Sequence, residues 1–79
     1  MKISLARFSK DGELFYSVET VRGNKLEVLG EFSTYDEAMK HAHLIMRIKG
    51  EAKGDSIWNW DGTFYEYTGR SWRVNHVSG

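Results

Sequence analysis

Residues Leu29 to Gly50 read LGEFSTYDEAMKHAHLIMRIKG, the end of a strand running into the one long helix the chain can form. Thr34 followed three residues later by Glu37 is a capping box, in which the hydroxyl takes the amide proton of the third helical residue. Asp36 and Glu37 place negative charge in the first turn, Arg47 and Lys49 place positive charge in the last, and Gly50 can take up the left-handed terminating conformation. The spacing predicts a helix over Tyr35 to Lys49. Tyr35, Ala38, Met39, Ala42, Ile45 and Met46 fall on one face of it, with two alanines at the centre where a sheet can approach closely. Leu44, Ile48 and His41 widen that arc around one flank, and the C-terminal segment is the expected cover for Leu44 and Ile48. Asp36, Lys40, His43 and Arg47 form the polar stripe.

Upstream, Ile3, Leu5 and Arg7 alternate with Ser4, Ala6 and Phe8 up to Asp11-Gly12, a dipeptide whose residues tolerate positive φ and which signals a tight hairpin. A two-residue turn there pairs Lys10 with Glu13 and sets Leu5 opposite Val18, so that Ile3, Leu5, Leu14, Tyr16, Val18 and Thr20 share one face. For the next turn, a three-residue loop over Arg22 to Asn24 with a bulge is expected. It brings Leu26, Val28, Gly30 and Phe32 onto the same inner face, because a one-residue slip exchanges faces. The outer face is then expected to carry Phe8, Phe15, Glu19, Val21, Glu27, Leu29 and Glu31.

After a polar connector over Glu51 to Ser56, the sequence IWNWDGTFYEY and then Arg70 to Val77 reads as a short aromatic meander. Two-residue loops would place Trp58, Trp60, Tyr65, Tyr67, Trp72, Val74 and His76 on one face and Ile57, Phe64, Glu66 and Arg73 on the other. The tail Ser78-Gly79 is expected to be loose. The fold class is therefore α+β: a three-stranded antiparallel meander over residues 1 to 33, one long helix over 34 to 50 packed across it, and a C-terminal antiparallel meander over 56 to 77. These 79 residues are read as a single domain.

Composition bounds the function. Lys and Arg number eleven, as do Asp and Glu, for a formal charge of zero. A protein held mainly by phosphate contacts is usually basic or shows a basic face, so a neutral chain argues against a dedicated nucleic-acid binder. There is no cysteine, hence no disulfide framework or thiolate metal site. No apolar run is long enough to span a membrane, and Met1-Lys2 leads directly into a strand pattern rather than a signal-peptide core. The reading is a soluble, cytoplasmic protein. His41 and His43 point about 160° apart on a helix and cannot chelate one ion. No serine, histidine and carboxylate fall into a nucleophilic arrangement. No enzyme activity, metal or cofactor is expected.

Gly30, Phe32, Thr34, Glu37-Ala38 and Ala42, with the three strands before them, resemble the signature at the strand-to-helix junction of AP2-like and phage-integrase amino-terminal DNA-binding modules. That resemblance covers about half the chain and implies a strand-strand-strand-helix fold for residues 1 to 50, with DNA read by Arg and Trp side chains on the exposed sheet face. In this sequence that face is expected to present Glu19, Glu27 and Glu31 with Phe8 and Phe15 instead.

The functional expectation is a small non-enzymatic protein-binding module that masks a surface of a larger protein, of the accessory or anti-defence inhibitor kind that viruses and mobile elements encode. Aromatic residues are enriched at interface anchors, and this chain has eleven. Phe8, Phe15, Glu19, Glu27, Leu29 and Glu31 are the candidate contacts, with Trp58, Trp60 and Tyr67 as a second patch. The alternative is nucleic-acid binding through Lys40, His43, Arg47, Arg70 and Arg73. A homodimer through the outer sheet face is compatible with either.

Overall fold

In the computed structural model, which describes residues 1–76, Asp11 and Gly12 both lie at positive φ, 52° and 79°. Their turn joins β1 (Lys2–Lys10) to β2 (Glu13–Arg22) in the register the sequence implies, with Lys10 opposite Glu13 and Leu5 opposite Val18. Next come β3 (Lys25–Phe32), α1 (Tyr35–Lys49), β4 (Ser56–Trp58), β5 (Thr63–Tyr67) and β6 (Trp72–His76). The architecture is α+β. Its six strands form one sheet in the order β3-β2-β1-β4-β5-β6.

The C-terminal meander extends the first sheet instead of forming a separate layer. β4 pairs in parallel with β1, Ile3 opposite Ile57, while every other pairing is antiparallel. β3 and β1 both run antiparallel to β2, so β3 and β4 point the same way and the connection between them must pass over β2 and β1. α1 is that connection. The crossover lays it on one face of the sheet, where Ala38, Ala42 and Met46 are buried against Ile3, Leu5, Val18 and Ile57.

The helix begins and ends where the sequence places it. The Thr34 hydroxyl accepts the Glu37 amide at 3.2 Å and donates to the Glu37 carboxylate at 2.9 Å, and the Gly50 amide donates to the Arg47 carbonyl at 3.1 Å. Val77, which the sequence assigns to the last strand, and the Ser78-Gly79 tail lie outside the described residues.

Four expectations are corrected. First, the turn before β3 has two residues, Gly23 and Asn24, with Gly23 at φ 64°. The bulge sits within β3, where Glu19 faces Val28 and Val18 faces Gly30, leaving Leu29 as the extra residue. A bulge placed there, rather than in the turn, reverses the faces only of the residues before it. Leu26 and Val28 are consequently outward and exposed, while Glu27 and Leu29 turn to the helix side. Gly30 and Phe32 remain inside as expected. A methyl group on Gly30 would sit 2.9 Å from the Phe32 ring, so the glycine makes room for that ring.

Second, Trp58 pairs with Phe64, not across a two-residue Asp61-Gly62 loop. The Asn59 amide donates to the Thr63 carbonyl at 2.8 Å and the Gly62 amide to the Asn59 carbonyl at 3.3 Å, which leaves a three-residue loop with only Gly62 at positive φ. The extra loop residue exchanges the faces of β4. Ile57, fully buried, is the core residue, and Trp58 lies on the opposite face.

Third, β5 and β6 join through a four-residue turn, in which the Thr68 amide donates to the Ser71 carbonyl. The even loop length preserves the expected alternation, with Tyr65, Tyr67, Trp72 and Val74 on the helix side. Fourth, the C-terminal strands reach the flank of α1 that carries His43, not the flank with Leu44 and Ile48. The His43 ring meets Trp72 edge-on at 4.9 Å, and Leu44 and Ile48 remain 49% and 74% exposed.

The N-terminus is tied to the crossover. The Met1 ammonium donates to Asp55 at 2.7 Å, and the other oxygen of that buried carboxylate accepts the Ala52 amide at 3.0 Å. Burial alone would raise the Asp55 carboxyl, but the hydrogen bonds from the ammonium and the Ala52 amide outweigh it and hold the group below its usual range. The resulting stability is complete above the ordinary carboxylate pKa of about 3.9 and is lost as pH falls through the depressed folded value. Asp55→Ala should cost about 2 kcal/mol in urea denaturation at pH 7, with a much smaller difference from the parent protein at acid pH.

Candidate functional site

Alternation along the strands gives the sheet two unlike faces. α1 is the only helix among the described residues, and it covers the face of Ile3, Leu5 and Val18. On the other face lie Phe8 and Phe15, directly opposite each other in β1 and β2, stacked at 5.7 Å between ring centroids. Further along, Trp58 and Phe64 are opposite each other in β4 and β5 and stack at 4.1 Å with 13° between planes. Cross-strand aromatic pairs of this kind stiffen a sheet and present large rigid surfaces. One row, Val28, Glu19, Ser4, Trp58, Phe64 and Asn75, runs across all six strands.

Charge on this face is mixed and close to balanced. The alternation that exposes the aromatics also exposes Lys2, Lys10 and Arg73 beside Glu13, Glu19, Glu31 and Glu66. The Lys2 ammonium lies 4.7 Å from the centroid of Trp58, and the Trp58 indole N–H donates to the Ser56 hydroxyl at 3.1 Å. Glu19 accepts the Ser17 hydroxyl at 2.7 Å. The aromatic and charged side chains are thus braced by near neighbours, which lowers the entropy lost when a partner fixes them.

The residues expected at this surface divide. Phe8, Phe15, Glu19, Glu31 and Trp58 are here together. Glu27 and Leu29 are not: the bulge turns them toward a groove shared with Met1, His41, Ile45 and Ile48. Tyr67 is on the helix side against Trp72, with ring centroids 5.3 Å apart. Trp60 lies in the loop after β4, also on the helix side, against Tyr16 and Tyr35. Phe64, which belongs to the open face, was expected on the side of Ile57 and without a functional role. The signal that could have found it is its alternation with Tyr65, whose ring packs against the core.

The basic set separates more completely. Lys40 borders a groove with Phe32, Glu37, His41 and Leu44, whereas His43 packs on Trp72 at the other flank of the helix. Burial lowers the His43 pKa first, and the nearby Arg47 charge adds to the effect, so the ring is neutral at pH 7. Arg73 projects on the open face opposite Glu66, and Arg70 is in the turn before β6. These five side chains do not form one cationic surface.

No helix among the described residues is long and apolar enough to cross a membrane. Comparison of the chain with protein families, curated proteins and solved structures finds no match.

Proposed function

We propose that this protein is a small non-enzymatic binding module whose open sheet face, built on the Phe8–Phe15 and Trp58–Phe64 pairs, masks a surface of a larger protein, as an accessory or inhibitor protein does. The observation that carries the reading is the pair of stacked aromatic couples on a sheet face that no helix covers among the described residues. Rigid aromatics ringed by mixed charges are the composition of a protein interface, with anchors inside a polar rim. A face with nearly equal numbers of cations and carboxylates lacks the excess positive charge that drives phosphate binding. The molecule measures 40 × 29 × 26 Å, large enough for a standard interface of about 800 Å2 per partner.

The test is capture of a partner by the tagged protein from native lysate, at low and high salt and with a nuclease arm, set against a Phe15→Ser variant. A discrete protein that survives salt and nuclease and is lost with Phe15→Ser supports the module. Recovery of nucleic acid that disappears at high salt supports the AP2-like alternative instead, and a partner retained unchanged by Phe15→Ser moves the interface elsewhere.

A further inference from the structure

On the helix side, away from the open face, Tyr16 of β2, Tyr35 at the start of α1 and Trp60 of the β4–β5 loop meet at one corner. Their centroids are 6.1 Å (Tyr16–Tyr35), 5.5 Å (Tyr16–Trp60) and 5.6 Å (Tyr35–Trp60) apart. The corresponding interplanar angles are 73°, 44° and 84°, so the rings stand as three inclined walls and not as a stack. With Asn59 and Asp61 they line an open cleft of about 300 Å3, the lower end of the range for ligand sites and suited to a head group.

The polar side of the cleft is held by a chain of hydrogen bonds. The Tyr35 hydroxyl donates to the Asn59 side-chain Oδ1 at 3.0 Å, the Asn59 side-chain Nδ2 to the Thr63 hydroxyl at 2.8 Å, and that hydroxyl to Asp61 at 2.7 Å. The Thr63 backbone amide also donates to Asp61, at 2.9 Å. These Thr63 bonds hold the Asp61 carboxyl below its usual range, so it is ionised at neutral pH. Burial, with the neighbouring Tyr65, raises the Tyr35 pKa, which leaves a neutral phenol.

Three aromatic rings and a fixed carboxylate line the same small cleft. Trp60 already attracts a cation: the Arg7 guanidinium lies 4.9 Å from its centroid. We propose that this corner is a binding site for a weakly hydrated organic cation, a methylated ammonium group, held against Tyr16, Tyr35 and Trp60 with Asp61 as counter-charge. Arg7 is the internal competitor. It occupies one face of Trp60 and repels a second cation, so its charge sets the affinity of the site. A methylated ammonium fits better than a primary one, because it loses less hydration on entering an aromatic corner.

The experiment is a titration of the 15N-labelled protein with tetramethylammonium chloride, read at the three tryptophan indole N–H signals, with tert-butanol as the uncharged probe of similar shape. The Trp60 signal should move and saturate with tetramethylammonium and not with tert-butanol, while the Trp58 and Trp72 signals stay put and report an intact fold. Arg7→Gln should tighten binding by about two- to fivefold, and Asp61→Asn should weaken it by a similar factor. A choline arm and a trimethyl-lysine peptide arm then separate a small-molecule source from a protein one by which saturates first. Equal responses to the charged and neutral probes, parallel movement of Trp58 and Trp60, or no saturable shift would each overturn the proposal and leave the triad as packing only. None of these readouts depends on a partner at the open face.

Discussion

Ile57→Ala should lose about 3 kcal/mol of stability, and Trp58→Ala only about 1 kcal/mol, although tryptophan is much the larger side chain. Ile57 is fully buried among Ile3, Leu5, Val18 and Met46, so truncation leaves a cavity that the surrounding strands cannot easily fill. It also sits in the shortest strand, three residues that pair with β1 on one side and β5 on the other and so hold both halves of the sheet together. Trp58 gives up a stacked contact with Phe64 on a half-buried face, a loss that water partly makes good. In a domain whose whole stability is roughly 4 to 12 kcal/mol, the Ile57 loss should lower the melting temperature by about 12 to 24 °C in thermal denaturation followed by circular dichroism. The reverse order of the two variants would mean that the faces of β4 are exchanged.

For partner affinity the order should invert. Trp58→Ala is expected to weaken binding to the captured protein by roughly thirtyfold or more, equivalent to about 2 kcal/mol, whereas Lys2→Ala should change it a few-fold and mainly at low salt. Trp58 is positioned for such an effect on two counts. It is clamped between the Phe64 ring, the Ser56 hydroxyl and the Lys2 ammonium, so little side-chain freedom remains to be lost, and it stands near the middle of the row that crosses all six strands. Titration calorimetry with the purified partner would measure both variants. Equal, small losses for Trp58→Ala and Lys2→Ala would place Trp58 outside the contact.

Elements governed by neighbours in sequence are legible in the sequence itself. Thr34, Glu37 and Gly50 define the helix ends by local hydrogen bonding and backbone preference, and Asp11-Gly12 defines the first hairpin because both residues accept positive φ. The misassigned faces had less local causes. The bulge at Leu29 adjoins Gly30, and an isolated strand glycine often marks a bulge, but that glycine reads equally as room for the helix, and the extra residue is expected in the adjacent turn. At Asp61-Gly62 the same dipeptide as Asp11-Gly12 closes a longer loop, because Asn59 pairs with Thr63 and Asp61 keeps negative φ. One residue of loop length then decided whether Ile57 or Trp58 entered the core.

The parallel pairing of β4 with β1 joins residues more than fifty positions apart and follows from the helix crossing over the sheet, which no short motif encodes. For the same reason Phe8 and Phe15 are identifiable individually as outer-face aromatics, whereas Trp58 reads on the same face as Tyr65. The single open face that unites them with Phe64 emerges only from the six-strand order. The Tyr16, Tyr35 and Trp60 corner draws on three separate elements and had no sequence signal beyond the richness in aromatics.

The most direct test of the open face as the binding surface is hydroxyl-radical footprinting of the protein alone and in its captured complex, read by mass spectrometry at individual side chains. The account predicts strong protection of Phe8, Phe15, Trp58 and Phe64 in the complex, with Leu44 and Ile48 on the helix flank as reactive as before. Protection confined to Leu44 and Ile48, with the four aromatics unchanged, would contradict it.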